Sequence, residues 1–120
     1  MKSLVAATVI LVALATGAPV QAQTPDLRAL AEQGDAVAQL VLGVMYGNGE
    51  GTPQDFVEAH MWANLAASQL SGEDRDLAVR HRDGLAAQMT PDQIAEAQRR
   101  AREWFAAHPR EPEPLSPLNR

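Results

Sequence analysis

The side chains able to do chemistry are few and poorly spaced for it. His60, His81 and His108 are the three histidines; they never stand four apart and occur in no HExxH-like string, so the spacing that lets two imidazoles share a zinc ion is missing. The absence of cysteine also removes thiolate ligands, a disulfide framework and a lipid-attachment site. His81 stands four residues from both Leu77 and Leu85, which places it on an apolar helical face as a partly buried core or partner-facing residue. Asn48, Glu50, Thr52 and Asp55 offer loop oxygens with faintly calcium-like spacing, but the acidic ladder and the closing bidentate glutamate are absent.

Nucleophilic chemistry fares no better. Ser68 and Ser71 lie near His81 in the chain but in no nucleophile elbow, and they read as the polar end of a helix. Asp74, Asp76 and Asp83 would supply paired carboxylates for glycoside hydrolysis, yet acids at a helix start and on its exposed face need no such role. No catalytic, cofactor-binding or metal-ligating residue is therefore assigned, and the chain is read as non-enzymatic. What remains is binding. Arg80 and Arg82, with Arg75 a turn or more before them, form a basic cluster in an acidic chain, able to hold a carboxylate bidentately or simply to solvate a helix beside Asp76 and Asp83.

Composition narrows the frame that must position these groups. The 120 residues have room for one domain, and 46% hydrophobic content with only five aromatic residues describes a helical core of Ala, Leu and Val. Met1-Lys2-Ser3 supplies a positive start, Leu4 to Leu14 is apolar apart from Thr8, and Val20-Gln21-Ala22 ends in small residues after Gly17 and Pro19. Residues 1–22 read as a secretory signal peptide, too short and too broken to serve as a bilayer span, so no stable membrane insertion is expected after cleavage. Removing it removes Lys2, the single lysine, and leaves nine Arg against fifteen acids, a net of about −6. That balance repels phosphate backbones and disfavours a nucleic-acid partner.

The mature region reads as five helices. Thr24-Pro25-Asp26 opens the first, with Leu27, Leu30 and Ala31 facing inward. Gly34 is a left-handed stop and Asp35 the cap of a second helix, Ala36 to about Tyr46, whose expected buried stripe is Val37, Leu40, Val41, Val44 and Met45. Gly43 inside it implies a close approach by a neighbour. After the turn Gly47 to Gly51, Thr52-Pro53-Gln54-Asp55 begins a third helix that continues to about Gln69, with Phe56, Ala59, Ala63, Ala66 and Leu70 in one stripe and Trp62 beside it. A fourth helix runs from about Glu73 to Met89. The fifth, Pro91 to Ala107, has a capping box of Thr90 and Gln93, a Glu96–Arg100 pair and a seam of Ile94, Ala97, Ala101 and Trp104 flanked by Phe105. Residues 109–120 abandon periodicity and read as an extended, mobile Pro-rich tail.

A shift of 38 residues lays Thr52–Ala59 on Thr90–Ala97 with four identities, and pairs Gly34-Asp35 with Gly72-Glu73. Such a period belongs to repeat proteins. The second copy has lost its turn glycines, as a terminal capping repeat does.

Ala38-Gln39, Leu42-Gly43, Met45-Tyr46, Gly49, Gly51, Gln54-Asp55, Glu58-Ala59, Trp62 and Ala66-Ala67 resemble the Sel-one-like repeat, a relative of the tetratricopeptide repeat, over residues 34 to about 69. Residues 82–104 are similar to the closing segment of bacterial proteins of this kind. The resemblance implies an all-α, short α-solenoid of antiparallel helical hairpins in a repeat domain at 24–108, with Gly34, Ala38, Leu42, Gly43, Tyr46, Gly49, Gly51, Asp55, Ala59, Trp62, Ala66 and Ala67 as its structural positions. It also implies protein-binding, scaffolding work without a cofactor. Two features depart from the family: Thr52 replaces the usual aliphatic residue, and one full repeat is present where a solenoid needs about three to bury a continuous core. A solenoid's concave surface is lined by the first helix of each repeat, which makes Gln39, Arg80 and Arg82 the expected partner-facing positions.

The sequence thus points to a periplasmic or secreted adaptor of the cell envelope with an unknown protein or peptide partner. Two alternatives stand beside it: a small cell-wall or β-lactam hydrolase of the repeat family, and a homodimer joined through an uncapped repeat face.

Overall fold

The computed structural model describes residues 19–110, with side chains from residue 26. The signal-peptide expectation for 1–22 and the tail expectation for 109–120 fall outside it apart from Pro19 to Ala22, which are helical, and Pro109-Arg110. Five helices make up the described residues: α1 Pro19–Glu32, α2 Ala36–Asn48, α3 Phe56–Gln69, α4 Gly72–Ala86 and α5 Pro91–Ala107. No strand occurs among them.

The sequence boundaries are partly corrected. α1 begins ahead of Thr24-Pro25 and runs through it, because Val20 to Gln23 contain no helix breaker and Pro25 forfeits just its own N–H bond. The Asp35 carboxylate accepts from Ala38 N at 2.9 Å and caps α2 as expected. α2 continues two residues past Tyr46 and ends at Gly49, whose φ of +70° is the left-handed closure glycine permits. α3 starts at Phe56, and its cap is Asp55, accepting from Glu58 N at 3.0 Å, rather than Thr52.

The reason lies in the turn. Asp55 N donates to Tyr46 O at 2.9 Å and Gln54 Nε2 to Gly47 O at 2.8 Å, so residues 53–55 stay extended along the end of α2. The matching Thr90-Pro91 has no such loop to hold and does start its helix, with the full Thr90/Gln93 capping box. Identical dipeptides thus adopt different local structures. α4 also stops at Ala86, three residues early, and Met89 turns its side chain into the core beside Ala59 and Ala97.

α3 is the axis of the fold. α2, α4 and α5 all pack on it, so Ala59, His60, Met61, Trp62, Ala63, Leu65, Ala66 and Ala67 are buried around its whole circumference. Small residues set the spacing. A Cβ on Gly43 would meet Ala59 O at 3.2 Å and Ala63 N at 3.3 Å, which is the close approach its place in α2 implied. Trp62 and Leu42 fill the wider space on the α1 side, together with Ala31, Leu65 and Ala101. α5 is tied across α3 by Arg100, which donates to Glu58 at 2.9 Å and to Glu96 at 2.9 Å.

The buried face of α2 differs from the expected stripe. Ala38, Gln39, Leu42, Gly43 and Gly47 are buried, whereas Val37 is 60% and Val41 40% exposed, and Leu40, Val44 and Met45 are half-buried. On α1, Leu30 likewise faces outward while Ala31 is buried. Both stripes satisfy helical spacing, and close contact with the alanine face of α3 selects the smaller side chains.

Candidate protein-binding surface

The arrangement leaves apolar side chains exposed on the first helix of each repeat copy. Val37, Val41 and Val44 stand at i, i+4 and i+7, on the side of α2 turned away from α3. Leu40 packs between α2 and α4 against Ala66, Ala67 and Ala78. On α4 the His81 ring comes beside Gly47 of α2, and Leu77, one turn earlier, is 51% exposed. Valines and a leucine left in water on adjoining helices mark a contact surface, since each gives up hydrophobic free energy that a partner would recover.

The three expected partner-facing residues separate. Arg80 is exposed on α4. Arg82 is half-buried and engaged: its guanidinium donates to Asn64 Oδ1 at 3.2 Å and pairs with Asp83 at 3.1 Å. Gln39 is a correction, because it is 0% exposed. Its Nε2 donates to Ala31 O at 3.0 Å and its Oε1 accepts from Gln69 Nε2 at 2.6 Å, so it serves as an internal strut among α1, α2 and α3. The apolar face itself escaped the sequence reading, which counted its valines as core; the signal was the competing row Ala38, Leu42, Gly43, with a small residue at two of its three positions.

Of the repeat positions, Ala38, Leu42, Gly43, Ala59, Trp62, Ala66 and Ala67 are buried in the core. Gly34 with φ +100°, Gly49 and Gly51 with φ +70° and +71°, and Asp55 shape the turns. Tyr46 touches both main core clusters and accepts from the Arg28 guanidinium at 2.6 Å.

The histidines have structural surroundings. His60 is 3% exposed and its Nδ1 has no hydrogen-bond partner; burial, reinforced by the charge of Arg82 and opposed by Asp83, holds it below its ordinary pKa. His81 Nε2 is likewise enclosed without a partner. Ser68 Oγ donates to Leu65 O at 2.7 Å as a helix-end residue does. No group of three or more His, Asp or Glu side chains among the described residues is placed to hold a metal ion, and no helix among them is long and apolar enough to cross a membrane.

An α3 enclosed by antiparallel neighbours, with an open apolar face on the first helices, defines a helical solenoid-type repeat protein. The family model of the Sel1 repeat matches residues 36–69, which span α2, the glycine turn and α3, so this segment is similar to a Sel1 repeat. No curated protein and no solved structure matches the chain.

Proposed function

We propose that this chain is an exported, non-catalytic adaptor of the cell envelope that holds a protein partner on the α2–α4 face. The Sel1 repeat supports a protein-interaction role. The observation that carries the choice of face is the exposure of Val37, Val41 and Leu77 on first helices, where a repeat protein offers its concave side. Export rests on the N-terminal sequence: a charged start, an apolar run and a small-residue site at Ala22.

Two experiments test the reading. A photo-crosslinking side chain at position 41 is expected to trap one defined protein from the envelope, and the same group at the exposed Glu103 is not. Equal products from both positions, or loss of the crosslink on adding a peptidoglycan or β-lactam substrate that the chain then turns over, overturns it. For export, N-terminal sequencing of the envelope or medium fraction is expected to begin at Gln23. A chain that keeps Met1 in the cytoplasm contradicts that part.

The exposed face also suits a second copy of the chain. In that case the crosslink at position 41 joins two copies, and apparent stability rises with protein concentration.

A further inference from the structure

We propose that the groove where α1, α3 and α5 end binds a guanidinium, presented as an arginine side chain by a basic segment of a partner protein. The proposal rests on the protein-binding reading above and adds a second contact with defined chemistry. The groove encloses about 690 Å³ and is lined by Gln33 and Gly34 after α1, Ser68 and Gln69 at the end of α3, and Trp104, Phe105 and His108 around the end of α5.

Three helices deliver their C-terminal ends to this one place, each with the partial negative charge of aligned peptide dipoles. None of the three carries a basic side chain in its last turn. Two of the lining donors are spent inside the protein, Ser68 Oγ on Leu65 O at 2.7 Å and Gln69 Nε2 on Gln39 Oε1 at 2.6 Å and Leu65 O at 3.2 Å, while the Trp104 indole N–H is enclosed without a partner. The backbone carbonyls of Ser68 and Gln69 find no donor among the described residues. At the end of α3 the groove thus offers backbone acceptors to a ligand that donates.

The aromatic wall adds an independent preference. Trp104 and His108 stack at 3.9 Å with planes 10° apart, held by the hydrogen bond between His108 Nδ1 and Trp104 O at 2.8 Å, and Phe105 meets the indole edge-on at 5.8 Å. A planar cation that donates in several directions and lies on an aromatic face satisfies both features, and guanidinium is that group. The mature chain's net negative charge, about −6, draws a basic partner in the same direction. Arg110 also lines the groove, so the chain's own guanidinium competes for the site.

The test uses the full chain and a fluorescent pentapeptide Ser-Arg-Gly-Arg-Ser, with a matched peptide carrying citrulline for arginine, read by fluorescence anisotropy. Citrulline keeps the shape and removes the charge. The arginine peptide is expected to bind at least about tenfold tighter than its citrulline counterpart. Gln33→Lys, which brings a competing ammonium to an exposed position, and Phe105→Ala are each expected to weaken it by a similar factor with the helical circular-dichroism signal unchanged, while Arg110→Gln tightens it. Equal binding of the two peptides, no binding of the arginine peptide at millimolar concentration, or indifference to Gln33→Lys overturns the proposal. A natural partner trapped at position 41 whose affinity ignores Gln33→Lys also overturns it and leaves the adaptor reading standing.

Discussion

Gln39 and Gln69, thirty residues apart, meet amide to amide at 2.6 Å, with Gln39 in turn donating to Ala31 O. A polar chain of this kind crosses from α3 through α2 to the end of α1, and it fixes how the first helix seats on the repeat.

Replacing Gln39 by leucine keeps the volume and removes both bonds, although Ala31 O still accepts from Gly34 N and Gln69 Nε2 still reaches Leu65 O. The expected loss is therefore moderate, about 1–2 kcal/mol by urea unfolding. A partner-facing Gln39 would show no loss, so the same measurement checks its reassignment.

Gly43 and Gly84, both inside helices, predict opposite outcomes. Gly43→Ala forces a Cβ against the backbone of α3, at 3.2 and 3.3 Å from Ala59 O and Ala63 N, and should cost about 1–3 kcal/mol despite alanine's better helix propensity. Gly84→Ala in α4 meets nothing within 4 Å and should stabilise by about 0.5–1 kcal/mol. Thermal melting of the pair separates packing from propensity.

Val37 and Leu42 test which stripe of α2 is buried. Val37→Ser, at an exposed position, should shift stability by no more than about 0.5 kcal/mol, whereas Leu42→Ala, at 1% exposure, should cost about 2–5 kcal/mol. Capture through the α2–α4 face should respond in reverse, with Val37→Ser weakening it in a pull-down of the trapped partner.

Two titrations set the acid limb of stability. His60 has a folded pKa below its ordinary 6.5, so the unfolded chain takes up its proton first. The stability it carries is present above pH 6.5, falls as the pH drops below that value, and levels off below the folded pKa. His60→Gln should flatten this slope in melts run from pH 7.5 to 5. Glu96 is held at about 2, below its ordinary 4.5, by hydrogen bonds first from Arg99 and then from Arg100. Its contribution is present above pH 4.5 and lost as the pH falls through about 2, and Glu96→Gln should remove that second step.

The sequence by itself determined the helices and their punctuation. Asp35, the Thr90/Gln93 box and Gly49 act through bonds to residues within a few positions, so their consequences are local and legible. The 38-residue echo and the row of small residues in α3 also disclosed a repeat built for close packing. Tertiary structure alone decided the rest. Helical spacing allowed two inward faces on α2, and only the approach of Ala59 and Ala63 to Gly43 chose the smaller one, which sent Val37 and Val41 outward and closed Gln39 in. The start of α3 likewise waited on Gln54 and Asp55 bonding back to the end of α2. The meeting of three helix ends beside Trp104 and His108 depends on where α5 lies across α3, a relation between distant segments that no periodicity along the chain encodes.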